Sequence, residues 1–211
     1  EGLNSRWYSG SGIYRHTWLT KVEPVHIGVW GVYITTPDIT EKSAGIAVQS
    51  RILNSGNRNI SITVQTQIID TSGQVVGATE NEIGINAGES TEIKQNINID
   101  NPKLWSVKEP NLYKAKVTVI NKNKETDHLL TSFGIRSIKF DAQTGFTLNG
   151  ENVKLKGGCY HHDNGPLGSA AIDRAEERKI ELLKKYGFNA IRCSHNPPSP
   201  SSNRRHYTFR Q

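Results

Sequence analysis

Residues 153–198 constrain this chain most, because they read as a single strand–helix–strand unit. Apolar Val153 and Leu155 lead into Gly157 and Gly158, and then into a polar cluster of Tyr160, His161, His162 and Asp163. A helix is predicted next. Asp173 is placed to cap its start, and Ile172, Ala175, Ile180, Leu182 and Leu183 supply a helix-like apolar pattern. Lys184 and Lys185 fall in its last turn, with Gly187 just beyond as the stop. The run Phe188, Asn189, Ala190, Ile191 then predicts a buried strand. It ends in a second polar cluster, Arg192, Ser194, His195 and Asn196, cut short by Pro197 and Pro198. Reactive side chains therefore follow both strands, at the ends where parallel α/β architectures bind ligands.

The chain ahead of this unit has a different period. Between residues 37 and 137, Ile46, Val48 and Ser50 alternate with Ala47, Gln49 and Arg51, and Ile60, Ile62, Val64, Thr66 and Ile68 alternate with Ser, Thr and Gln. Further runs centre on Ile93, Ile97 and Ile99, on Tyr113, Ala115, Val117 and Val119, and on Leu129, Leu130 and Phe133. Turn signals at residues 54–57, 72–73 and 87–89 separate them. About seven strands in about 100 residues predict an immunoglobulin-like β-sandwich, with Trp105 plugging its core. Ile138, Phe140, Phe146 and Leu148 then alternate up to Asn149 and Gly150, a hairpin turn signal. Residues 1–36 also read as β-structure, from a Gly/Ser turn at residues 9–12 followed by period-two alternation.

Composition removes several function classes. The net charge of +6 arises from 26 basic and 20 acidic residues spread along the chain, and only Arg204 and Arg205 make a dense basic spot. That is a solvated surface rather than a nucleic-acid footprint. No apolar run is long enough to cross a membrane as a helix. Cys159 and Cys193 are too few for a disulfide framework and read as small buried thiols. Adjacent His161 and His162 aim their rings poorly at one ion. With no His-x-x-x-His or Cys-x-x-Cys spacing, no metal and no cofactor are expected. The chain lacks Met even at position 1, so it reads as a piece of a longer protein. Its compartment stays open between cytoplasm and periplasm. After Pro200 the pattern fails, since residues 201–211 are polar and basic without helical period.

Several short motifs recur in an order that resembles one family. They are Phe146, Leu148, Asn149 and Gly150; Leu155, Lys156 and Gly157; His161, His162 and Asp163; Leu167 and Gly168; and Asn189, Ala190, Ile191, Arg192, Ser194 and His195. Together they resemble the opening of the (β/α)8 barrel in glycoside hydrolase family 2, which groups β-galactosidase, β-glucuronidase and β-mannosidase. The His-His-Asp and Ser-His-Asn-Pro-Pro variants are most similar to β-galactosidase-type members. Arg6, Trp7 and Tyr8, with Gly12, Ile13, Tyr14 and Arg15, resemble the end of that family's N-terminal jelly-roll, sugar-binding domain.

The resemblance implies a mainly β fold, an immunoglobulin-like β-sandwich flanked by the last strands of a jelly roll and the start of a (β/α)8 barrel. The expected divisions are residues 1–36, 37–137 and 138–200, with 201–211 an atypical tail. A partial jelly roll has unpaired edges, so its segment should be mobile or pair elsewhere. Trp7 and Tyr14 are expected as core aromatics of that domain rather than as sugar-stacking groups.

The implied function is retaining hydrolysis of a β-glycoside, with a β-linked oligosaccharide or glycoside as the substrate partner. His162 and His195 match family histidines that bind sugar hydroxyls, Asp163 a residue that shapes the pocket, and Arg192 the arginine that orients the nucleophilic carboxylate. Asn196 adds a further hydroxyl contact, while His161 divides evenly between a pocket role and a plain polar loop. Retaining chemistry needs two carboxylates, which this family carries as glutamates on later barrel strands. The sole Asn-Glu pair, Asn81 and Glu82, falls in the sandwich. No catalytic residue is therefore expected in this chain, which should be inert alone. Apolar surface on an incomplete barrel would admit a homo-oligomer. The competing expectation is a non-catalytic carbohydrate-binding or scaffold module built on the sandwich.

Overall fold

Alternating β-branched and polar residues draw the middle of the chain into long strands with one buried face. The computed structural model describes residues 12–193 and 197–201. Among them, seven strands form two antiparallel sheets: β1 (Val25–Ile39), β2 (Ser43–Asn54), β3 (Ile60–Ile69), β4 (Val75–Ile85), β5 (Ser90–Asp100), β6 (Tyr113–Asn121) and β7 (Lys124–Phe133). One sheet runs β1–β2–β5 and the other β4–β3–β6–β7. Between them lie Ile46, Val48 and Ile52 of β2, Val64 and Ile68 of β3, and Val117 and Val119 of β6, none more than 1% exposed. Each such side chain contributes about 1.5–3 kcal/mol by leaving water. The predicted sandwich is the observed one.

One polar group is built into this core. The Gln95 amide accepts from Thr66 Oγ1 at 2.6 Å and donates to the Val64 carbonyl and to Asn81 Oδ1, both at 3.0 Å. A buried amide satisfied on both sides fixes the register of the strands that meet it. Asn81 of the sole Asn-Glu pair thus serves the sandwich.

Two expectations about this domain change. The division at residue 36 falls inside β1, which pairs with β2 from Val25 opposite Asn54 to Ile39 opposite Ala44. Alternation marks a segment as a strand without saying which sheet it joins. Trp105 does not plug the core either. It is half-buried, lies where a Cβ on Gly134 would approach within 2.7 Å, and carries the Arg136 guanidinium 4.9 Å from its ring centre. The fully buried position nearby belongs to Ile135. β1 also bulges, because Ile27 faces Ile52 while Val32 faces Ser50. Trp30 within that bulge has φ of 55° and is 92% exposed.

After the sandwich, β8 (Ile138–Asp141), β9 (Gly145–Leu148) and β10 (Glu151–Asn152) form a small sheet in the order β10–β9–β8. Asn149 and Gly150, with φ of 53° and 82°, make the two-residue turn that their identities predict. Then come β11 (Gly157–Tyr160), α1 (Asp173–Lys185) and β12 (Ala190–Cys193), with β11 and β12 parallel. Two compact units result. One comprises residues 20–139 with 147–151, and the other residues 12–19, 140–146 and the described part of 152–201.

Candidate functional site

The second unit holds the predicted strand–helix–strand, shifted along the chain. The first strand starts at the glycine pair and runs Gly157–Tyr160, rather than Val153 to Leu155. The reason is close approach, since a Cβ on Gly157 would lie 2.1 Å from the Ala190 carbonyl oxygen. The second strand starts two residues late, so Arg192 and Cys193 lie within it, opposite Cys159 and Tyr160. α1 begins one residue earlier than read. Ile172 is its N-cap without a side-chain bond, and Asp173 sits in the first turn, where its charge suits the helix dipole. Its end is as the sequence indicates. Gly187 has φ of 82°, its N–H donates to the Lys184 carbonyl at 2.9 Å, and the Phe188 N–H reaches the Leu183 carbonyl at 3.0 Å. Those two bonds are the Schellman pattern.

His162 and Asp163 follow β11 directly. His162 is half-buried with its ring 5.4 Å from that of Tyr14, while Asp163 is exposed. Tyr14 is 39% exposed, so it is a surface aromatic beside a histidine and not a core residue. The described part of its segment is tied down rather than loose. The Ala171 N–H donates to the Tyr14 carbonyl at 3.1 Å, Arg15 Nη2 donates to the Pro197 carbonyl at 2.5 Å, and His16 Nε2 lies 3.0 Å from Asp173 Oδ1. A cleft of about 660 Å³ opens here, lined by Tyr14, Arg15, His16, His162 and Ile172 among others. Neither Asp163 nor Arg192 lines it.

Arg192 is exposed at the end of β12, with Nη1 3.7 Å from Cys159 Sγ. Both cysteines are free, and Cys159 is exposed rather than buried as read. Burial pushes the half-buried Cys193 thiol up, with the nearby Glu176 carboxylate adding to the effect. His195 and Asn196, with Ser194 and Trp7, lie outside the described residues. Among the described residues no group of three or more His, Cys, Asp or Glu side chains could hold a metal ion.

Sequence reasoning missed the residues that support His162. Glu176 is buried, at 4% exposure, and accepts from Tyr160 Oη and from Asn164 Nδ2, both at 2.7 Å. Lys179 Nζ donates to the His161 carbonyl at 3.0 Å and to the Asp163 carbonyl at 2.5 Å. Burial lowers the Lys179 pKa, against the opposing pull of Glu176 and Asp163. One signal was available: Ile172, Glu176 and Ile180 share a helix face at four-residue spacing, so a carboxylate interrupts an apolar stripe.

Comparison with known proteins agrees along almost the whole chain. Residues 25–136 match Glycosyl hydrolases family 2, and residues 140–204 match the Glycosyl hydrolases family 2, TIM barrel domain. A β-galactosidase of Bacteroides ovatus is 43% identical over 201 residues, covering 95% of this chain and 24% of that protein. A β-glucuronidase of Formosa agariphila is 33% identical over 209 residues, covering 94% of this chain and 21% of that protein. The crystal structure of a glycosyl hydrolase family 2 member from Bacteroides cellulosilyticus superposes with a TM-score of 0.92 at 46% identity, covering 97% of this chain and 28% of that one. The chain therefore spans about a quarter of the length of such relatives. With sandwich and barrel start both matched, in the order that the motifs predict, the chain belongs to glycosyl hydrolase family 2.

Proposed function

We propose that this chain is part of a retaining β-glycoside hydrolase of the β-galactosidase type, and that it is inert alone. The observation that carries the reading is the parallel β11–α1–β12 unit, with His162 in the loop after its first strand, beside a cleft. The 43% identity to a β-galactosidase supports the substrate class. Residues 138–200 are the opening of the catalytic barrel, the sandwich is scaffolding, and the segment ahead of β1 is the end of a jelly-roll domain. A barrel needs eight strands and about 250 residues, and the two carboxylates of retaining hydrolysis come from strands that follow.

In this reading His162 and His195 bind sugar hydroxyls, since an imidazole offers one donor and one acceptor on a rigid ring. Asp163 and Asn196 complete that wall. Arg192 holds the nucleophilic carboxylate ionised and oriented through a charge-assisted fork. Its guanidinium is exposed on β12, 3.7 Å from the Cys159 thiol.

The test compares the purified chain with the full-length protein on chromogenic β-galactoside and β-glucuronide. We expect no turnover by the chain and a preference for the galactoside in the full-length protein. Hydrolysis by the chain that disappears in His162→Ala would overturn the inert reading. Preference for the glucuronide would overturn the substrate class.

A further inference from the structure

Residues 160–164 are held from one side by two residues of α1, a single turn apart. Glu176 takes the side chains at both ends of the loop, Tyr160 and Asn164, each at 2.7 Å. Lys179 takes the backbone between them, through the His161 carbonyl and the Asp163 carbonyl. Its ammonium also lies 4.2 Å from the centre of the Tyr160 ring. Two of its three donors are thus spent on the carbonyls that bracket residue 162, and the charge rests on an aromatic face. His162 is left in the middle of the clamped loop, with its ring beside Tyr14 at the cleft.

Stability does not account for this arrangement. A carboxylate at 4% exposure loses its hydration, and buried ionic groups can often be replaced by apolar ones without loss. What the pair supplies is a fixed path for five consecutive residues. Fixing the carbonyls on either side of His162 fixes the direction of its side chain, and an ångström of misplacement is costly in a pocket.

We infer that Glu176 and Lys179 are positioning residues, which set the imidazole of His162 for sugar binding by clamping residues 160–164 against α1. The inference rests on the proposed sugar-binding role of His162. Neither helix residue touches substrate. They act through the loop.

The experiment uses the full-length hydrolase that carries this chain and the chromogenic glycoside that it turns over best. KM, kcat and the thermal midpoint are measured for His162→Ala, Lys179→Met, Glu176→Gln and the double variant of His162→Ala with Lys179→Met. We expect Lys179→Met to raise KM by about ten- to a hundredfold with a smaller change in kcat. The double variant should then bind no worse than His162→Ala alone, because the clamp has nothing left to position. Glu176→Gln leaves Asn164 Nδ2 facing an amide or loses the Tyr160 bond, and should raise KM in the same way. It carries the test if Lys179→Met does not fold. Effects on KM that add fully in the double variant, or a lowered thermal midpoint with unchanged KM, would overturn the inference and leave the role of His162 standing. Unchanged KM in His162→Ala would instead remove the sugar-binding reading, and the inference with it.

Discussion

Gly157 has no room for any side chain. A methyl there would meet the Ala190 carbonyl oxygen at 2.1 Å and its carbon at 2.7 Å, so Gly157→Ala must push β11 and β12 apart. The neighbouring Gly158 has nothing within 4 Å of the same position. Thermal unfolding should therefore show Gly157→Ala destabilised by more than about 2 kcal/mol while Gly158→Ala changes little, within about 0.5 kcal/mol. Equal effects would mean that the strands do not approach as described. At this scale the sequence is hard to read. A glycine pair signals a turn as readily as a close contact, and only the fold shows which atom it approaches. Glu176 was legible only as a break in the apolar stripe of Ile172 and Ile180, since acidic residues in a helix usually face water and nothing local marks the partners Tyr160 and Asn164.

Elements were easier. The alternation in β2, β3 and β6 gives both strand and buried face, because period-two patterning requires one side to be apolar. The end of α1 was legible in Gly187, whose positive φ few other residues accept. Its start was not, because Asp173 is a residue of caps and of first turns alike. The turn between β3 and β4 offers a test of charge. Asp70 Oδ1 accepts from Ser72 Oγ at 2.7 Å, the Ser72 N–H at 2.8 Å and the Gln74 N–H at 3.0 Å. The Ser72 hydroxyl, and then the Gln74 amide, hold its carboxyl below the ordinary value of 3.8. The folded chain thus prefers the carboxylate. Its stabilising contribution is fully present above pH 3.8 and is lost as pH falls through the lower folded value. Urea unfolding should show Asp70→Asn less stable than the wild type near neutrality, with the gap closing in acid. A gap independent of pH would exclude this role for the charge.

The molecule as a whole has two units of unequal build. The sandwich buries seven strands' worth of apolar side chains, whereas among the described residues β11 and β12 pair only with each other. Two-stranded sheets are marginal by themselves. Hydrogen exchange followed by mass spectrometry should find the amides of β3 and β6 protected far longer than those of β11 and β12. Matching protection would mean that the barrel start is as firmly built as the sandwich. Membership of β1 in the sandwich was the main whole-molecule feature that local pattern could not supply, because alternation marks a strand without naming its partner, here β2, and two further bonds tie β1 to Asp127 and Arg136.

Those two bonds also order events in time. The Ile27 N–H donates to Asp127 at 2.8 Å, and the Thr36 hydroxyl to the Arg136 carbonyl at 3.1 Å, each across 100 positions of chain. During synthesis the first strand of the sandwich must wait for its last to leave the ribosome before these bonds can close. Loops of this length close slowly, and β-sandwiches fold in roughly milliseconds to seconds. Until then β1, the edge strand of its sheet, lacks these two ties, and the nascent chain is most exposed to mispairing while its own final strand is still being made.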